Sequence, residues 1–287
     1  MKNDFRFVII PKVVHPWFDE VHEGAKTQAE FLEKQLGIKI TIEYCAPATA
    51  EVAAQIRLLE KAVAAQPDGI AVDPLDLIGH MHVLAEIKEL GIPLIVFDSP
   101  PPETGIPSVG NNFTEQGAIA AERLVQLLGA SGKVAVMKGF PTAPNHKERY
   151  DAQLAVLKKY PGITVVDGGI DNDDIRTAQA QAAAVMAAQP DLAGYLCCDA
   201  SGPIGIAAAI KEAGKAGKVK FVGMDGIRPI LEAIKDGVMD SSASTKPRLQ
   251  GSMAVLLLWQ ASQGLQLPLK IDTGIDLITR ENVDKFL

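Results

Sequence analysis

Residues 5–18 read Phe5-Arg6-Phe7-Val8-Ile9-Ile10-Pro11-Lys12-Val13-Val14-His15-Pro16-Trp17-Phe18. The run Phe5–Ile10 has the near-continuous apolar character of a strand buried on both faces. It passes into a short loop that holds His15, Pro16, Trp17 and Phe18, and a helix is predicted from about Phe18. Open α/β sheets bind ligands in the crevice beyond the carboxyl ends of their strands. An aromatic pair at the end of the first strand is therefore placed to line a small-molecule cleft. The competing reading makes Trp17 and Phe18 core aromatics at a helix start.

Moving outward, Phe18, Val21, Ala25, Ala29, Leu32 and Leu36 recur at three- and four-residue steps, which is one face of an amphipathic helix. Gly37 ends it. Strands are predicted over 38–44, 69–72 and 93–97, with helices over 49–65 and 75–90 between them. Ser99–Pro107 is rich in proline and reads as a crossover loop. A helix over 114–128 follows, and the alternation then starts again. Strands fall at 133–137, 163–166, 195–198 and 219–223, with helices over 146–159, 175–188 and 203–213. Such alternation predicts parallel sheets with helices on both faces, here in two doubly wound lobes of similar size. In the tail, Val238–Ser244 alternates like a strand. Pro247 opens a helix to about Gln263, with Leu249, Met253, Leu256 and Leu257 on one side, and Gly274–Ile278 reads as a last short strand. Both lobes need completing segments. The expected division is 1–110 with 247–274, and 111–246 with 275–287, joined by a three-segment hinge.

The chain has 287 residues, enough for two domains, and a net charge of −7. That acidic balance argues against a general nucleic-acid binder, which needs a basic stripe. Apolar residues at 47% leave ample core material, yet no apolar run reaches membrane-spanning length. Met-Lys-Asn-Asp enters the first strand directly, so a signal peptide is not expected in this chain, which fits a cytoplasmic protein or a mature exported one. Cys45, Cys197 and Cys198 are odd in number, and two are adjacent in an apolar strand, so buried free thiols are expected. His80 and His82 stand two apart on a predicted helix, do not share a face and are assigned no metal role.

Several strands end in polar residues: Asp73, Asp98-Ser99, Asp199 and Asp225-Gly226. In a parallel sheet these ends share one edge. A carboxylate accepts hydrogen bonds from neighbouring hydroxyls, and an aromatic ring covers the C–H face of a sugar. Taken alone, Asp73-Pro74 reads as a turn or helix N-cap, and Arg149 could belong to a surface ion pair.

In order and spacing, these motifs resemble the type I periplasmic binding proteins of sugar ABC importers, the ribose-binding group, over essentially the whole chain. His15-Pro16-Trp17-Phe18 is similar to the Asn-Pro-Phe-Phe of ribose binders. Asp73-Pro74, Asp98, Asn112, Arg149, Asp199-Ala200-Ser201-Gly202 and Val222-Gly223-Met224-Asp225-Gly226 each match a family position. Thr245 stands where many relatives carry Gln. The resemblance implies a ligand site formed by His15, Trp17, Phe18, Asp98, Ser99, Asn112, Arg149, Asn172, Asp199, Asp225 and Thr245, without metal or cofactor. His15 replaces the family Asn, Ser99 an Arg, Asn172 an aromatic, and Thr245 is shorter than Gln, so a ligand bound otherwise than ribose is expected. Ile10-Pro11-Lys12 and Asp199-Ala200-Ser201 look closer to the autoinducer-2 and rhamnose-type branch.

The implied function is capture of a sugar, polyol or sugar derivative by hinge closure, the motion for which periplasmic binding proteins are a standard example. Delivery to a membrane-embedded ABC permease follows, with the protein monomeric and periplasmic after removal of its signal peptide. An enzyme is the less favoured class. Asp98 and Asp225 could be imagined as a glycosidase pair, but the sequence holds no G-x-S-x-G elbow, no H-E-x-x-H, no P-loop and no post-strand G-x-G-x-x-G. A LacI-type effector domain lacking its DNA-binding part, or a receptor feeding a signalling partner, would share the fold.

Overall fold

The computed structural model describes residues 2–100 and 105–287. The opening run forms β1 (Asp4–Ile10), with Phe7, Ile9 and Ile10 fully enclosed. Pro16 at the first turn starts α1 (Pro16–Leu36), two residues before the expected start. The α1 N-cap is His15, whose Nδ1 accepts the Trp17 N–H at 3.1 Å, and Gly37 closes the helix in the left-handed region. β2 (Lys39–Tyr44), α2 (Val52–Ala64), β3 (Gly69–Val72), α3 (Leu77–Glu89), β4 (Leu94–Phe97) and β5 (Ser108–Gly110) follow. The expected 99–107 loop falls partly outside the described residues.

The second alternation runs α4 (Phe113–Leu128), β6 (Gly132–Lys138), α5 (Pro144–Leu157), β7 (Ile163–Ile170), α6 (Ile175–Ala188), β8 (Leu192–Leu196), α7 (Ser201–Glu212), β9 (Lys220–Met224), α8 (Arg228–Lys235) and β10 (Ser241–Ser244). Then come α9 (Pro247–Ser262), β11 (Lys270–Asp272) and β12 (Asp276–Thr279). The chain divides into two compact units, residues 1–111 with 246–274 and residues 112–245 with 275–287.

Unit 1 is a parallel sheet of order β11-β5-β4-β3-β1-β2. Its core joins Val8, Ile10, Ile70, Val72 and Val96 from the strands to Leu59, Leu84 and Ile87 from α2 and α3. Unit 2 has the corresponding order β12-β10-β9-β8-β6-β7, but β12 runs antiparallel to β10. Its core joins Val134, Val136, Leu196, Val222 and Met224 to Leu124 and Val156. Among the described residues, no helix is long and apolar enough to cross a membrane.

Three details correct the sequence reading. The inward face of α9 is Gln250, Gly251, Ala254, Val255, Leu257 and Leu258, whereas Leu249 is 42% exposed. The cause is helix approach: a Cβ on Gly251 would lie 1.9 Å from the Val21 carbonyl oxygen, and one on Gly24 1.9 Å from that of Arg248. Backbone contact between α1 and α9, not the leucine stripe, sets the rotation. Next, α8 was not anticipated; Ile230, Leu231 and Ile234 bury it against unit 2 although it is only eight residues long. Finally, Cys197 and Cys198 lie past the end of β8; both are buried free thiols, while Cys45 is only partly buried.

Candidate functional site

In unit 1 the carboxyl ends of β1, β3 and β4 carry a buried charged group. Lys12, 1% exposed, sends its ammonium to within 3.0 Å of Asp73 Oδ2 and 4.0 Å of Asp98 Oδ2. Ser99 Oγ donates to Asp73 Oδ1 at 2.6 Å, and Ser108 Oγ donates to the Ser99 carbonyl at 2.6 Å. Gln55 laces the two loops together from α2. Its Nε2 donates to the carbonyls of Pro11 and Asp73, and its Oε1 accepts the Leu75 N–H. Asp73 is thus an internal ion-pair partner, not a helix cap; Asp76 caps α3. Burial pushes the Asp73 carboxyl above the usual carboxylate range, with the Lys12 ammonium pulling the other way.

Asp98 holds a φ of 44°, a left-handed conformation that Asp tolerates better than most residues. That turn sets its carboxylate beside Lys12 at the end of β4. Trp17 and Phe18 meet edge to face at 5.0 Å, and Phe18 meets Phe97 at 6.3 Å. Unit 1 therefore gathers His15, Trp17, Phe18, Asp98 and Ser99 at one sheet edge. Sequence reasoning did not include Lys12 in this set. Its signal was a lysine just past the end of a buried strand, where an ammonium needs a carboxylate.

Unit 2 centres on Arg149 of α5, which is 2% exposed and so not in a surface ion pair. Its Nε donates to Gln116 Oε1 at 2.7 Å, its Nη1 to the Cys198 carbonyl at 3.2 Å, and its guanidinium lies 5.0 Å from the Phe113 ring centroid. Gln116 in turn donates to the Ala243 carbonyl at 2.8 Å, tying the arginine to β10. Asp225 has a φ of 66° at the end of β9 and accepts the Thr245 hydroxyl; Ser242 Oγ donates to the Asp225 carbonyl. Thr245 is thereby brought to Asp225. Asn112 is the N-cap of α4, its Oδ1 accepting the Glu115 N–H. Asn172 sits exposed in a left-handed turn after β7.

Asp199 follows β8 and accepts the Gly202 N–H at 2.9 Å on Oδ1. Asp171, at the end of β7, borders the same Gly202: a Cβ there would lie 2.8 Å from Asp199 Oδ1 and 3.2 Å from Asp171 Oδ2, and the two aspartates are 1% and 0% exposed. Burial pushes Asp171 up to about 7 and Asp199 well above the usual range. His146 and Asp173 complete the group, with His146 Nε2 3.9 Å from Asp173 Oδ1. Ligand atoms of His146, Asp173 and Asp199 lie within 4.8 Å of one another, a spacing compatible with a cation. The imidazole argues otherwise. Its Nδ1 accepts the Phe140 N–H at 3.0 Å, so in the neutral ring Nε2 carries the proton and donates toward the carboxylates. His146, Asp171 and Asp173 escaped the sequence reading because nothing local marks the turn after β7 as converging on α5.

The profile of the periplasmic binding protein domain family matches residues 7–266. The D-allose-binding periplasmic protein of Escherichia coli is 25% identical over 91% of this chain and 86% of its own. Among solved structures, an ABC transporter solute-binding protein from Burkholderia graminis in complex with D-arabinose is 28% identical, with a TM-score of 0.92 over 98% of this chain and 97% of that one. Another, from Agrobacterium vitis with bound D-fucose, is 27% identical, also with a TM-score of 0.92, over 98% of this chain and 97% of its own.

Proposed function

The chain belongs to the periplasmic binding protein domain family, and from that premise we propose that it is the solute-binding protein of an ABC importer. It captures a small polyhydroxylated ligand outside the cytoplasm, as a monomer and without chemistry, and hands it to a membrane-embedded permease. The observation that carries this reading is the pairing, at strand carboxyl ends, of fixed ionic groups with an aromatic wall. Trp17 and Phe18 supply the wall for sugar C–H faces. Asp98, Asp225 and Asp199 accept from ligand hydroxyls, and Arg149 donates to ligand oxygens. Because the groups are held by internal partners before the ligand arrives, little side-chain entropy remains to be lost on binding.

Charge narrows the class. Unit 1 sets Lys12 against Asp73 and Asp98. Unit 2 carries Arg149 together with the buried or partly buried carboxyls Asp171, Asp173, Asp199 and Asp225. Both edges carry more carboxyl groups than basic ones, so a neutral sugar or polyol fits better than a sugar acid or sugar phosphate. The sugars named for relatives, D-allose, D-arabinose and D-fucose, are neutral monosaccharides.

A thermal-shift screen over neutral sugars, polyols and sugar acids, followed by calorimetry, tests the reading. A true ligand at a hundredfold excess over its Kd adds about 2.7 kcal/mol of apparent stability. Sugar acids are expected to leave the melting temperature unmoved. Failure of every neutral sugar, or turnover of any of them, would sink the proposal.

A further inference from the structure

We propose that unit 2 carries a second sugar subsite beside Arg149 and Asp199, so that the protein takes a neutral disaccharide and not a lone monosaccharide. The inference deepens the solute-binding reading above and rests on it. It begins from a pocket of about 210 Å³ on the flank of α5. Phe140 and Pro141, from the loop after β6, form one wall, and His146 and Tyr150 of α5 form another. Lys138, Lys147 and Asp151 complete the lining. Of these side chains only His146 belongs to the strand-end group described above.

The pocket and the strand-end site share one imidazole. His146 stands three residues before Arg149 and four before Tyr150, so a single turn of α5 serves both. The Phe140 N–H donates to His146 Nδ1 at 3.0 Å, which holds the loop of the pocket to the ring. At the head of that loop, a Cβ on Gly139 would lie 2.5 Å from His146 Nδ1 and 3.1 Å from Asp199 Oδ2. A sugar gripped by Arg149 and Asp199 therefore stands one buried ring away from the pocket, and a glycosidic bond is the link that spans such a step.

The chemistry of the lining selects the occupant. Phe140 and Tyr150 are half-buried and offer ring faces to sugar C–H groups. The Lys138 ammonium lies 5.0 Å from the Tyr150 ring centroid, a cation–π contact that steadies both side chains. Asp151, the carboxylate of the lining, pairs with Lys147 instead, so Lys138 keeps its donors for ligand hydroxyls. The Lys147 and Asp151 side chains are 68% and 55% exposed, and a pair at such a rim rearranges at little cost, adding a further donor and acceptor. An apolar occupant would desolvate the Lys138 ammonium without pairing it. Size sets the upper limit. Pockets that enclose a drug-sized ligand run to about 300–1,000 Å³, so this one takes a single further ring and not an oligosaccharide.

Calorimetry on the whole protein tests the subsite, with D-glucose, D-galactose, D-allose, D-arabinose and D-fucose set against cellobiose, maltose, lactose and melibiose. The tightest ligand is expected to be a disaccharide, by about tenfold or more over every monosaccharide, in keeping with one ring contact and one hydrogen bond. Tyr150→Ala should remove about that factor for the disaccharide and leave the affinity for monosaccharides unchanged, a split that general damage to the fold would not give. Should Tyr150→Ala fail to fold, Lys138→Met is expected to show the same split, at about threefold to tenfold. Monosaccharides that bind while no disaccharide binds more tightly would overturn the subsite and leave the solute-binding reading standing. A disaccharide that binds wild type and variants alike would place its second ring elsewhere, and equal losses for both sugar classes would reduce the pocket to a support; either result overturns the proposal. If no sugar of either class binds, the subsite falls together with the functional reading.

Discussion

The two units solve one problem in two ways. Each is a six-stranded sheet with the same strand order, apart from the reversed β12, and each ends its fourth strand along the chain in an aspartate of positive φ, Asp98 in one and Asp225 in the other. Each also buries the carboxylate that follows its third strand. In unit 1 that group is Asp73, and a fully buried lysine answers it. In unit 2 it is Asp199, and what stands near it, across Gly202, is a second carboxyl, Asp171. The contrast teaches that a strand edge fixes where a carboxylate stands, whereas its charge state depends on what the neighbouring loop brings.

The largest effect should come from breaking the ionic answer. Lys12→Met removes the ammonium that Asp73 pairs with at 3.0 Å, and urea unfolding should show a loss of about 3–5 kcal/mol. Adding Asp73→Asn should recover most of it. A loss under about 1 kcal/mol would mean the pair is not the counterpart it is taken to be.

Next in size is Arg149→Ala. Ligand affinity should fall by roughly a hundredfold, in keeping with about 2–3 kcal/mol for a charged hydrogen bond. The structure indicates a second cost of about 1–3 kcal/mol, because the buried Gln116 side chain and Cys198 carbonyl lose a donor. Calorimetry and urea unfolding together separate the two. For Asp225 the cleaner change is Asn, since Ala in a left-handed conformation adds about 1–2 kcal/mol of strain of its own; weaker binding with near-native stability is expected.

The pH dependence of stability tests the burial of Asp171. Burial pushes Asp171 up to about 7 from the ordinary carboxylate value of 3.8, so the folded state binds more protons than the unfolded one between those values. Its contribution is fully present below the lower value and is lost as pH rises through the upper one, on the order of a few kcal/mol. Asp171→Asn should remove that slope, read as melting temperature against pH, and Lys12→Met should not.

The smallest signal is optical. Trp17 should shift its emission when a sugar saturates the site. Emission that stays fixed at saturation would return Trp17 to the core.

Much of this could be read along the chain. The β-α alternation, the strand-end aspartates and the family match follow from periodicity and local motif, because burial on both faces demands apolar runs and strand ends need polar turns. His15 and Asn112 stood in the sequence at helix starts, and both prove to be helix caps. Lys12 was visible as a residue but silent as a partner. Gln116, His146 and Asp171 were invisible as site residues, since each acts through a neighbour far along the chain. The α9 face was misjudged because a glycine contact outweighed a leucine pattern.

The sequence by itself determined the sheets, the edges on which polar side chains stand and the acidic bias of those edges, since all three depend on spacing within a few residues. Only the tertiary structure decided which charge meets which. Lys12 reaches Asp73 across 61 positions, and Asp171 meets Asp199 across 28. Whether a buried carboxylate meets an ammonium or a second carboxyl depends on distances of a few ångströms between strands, which no local pattern encodes.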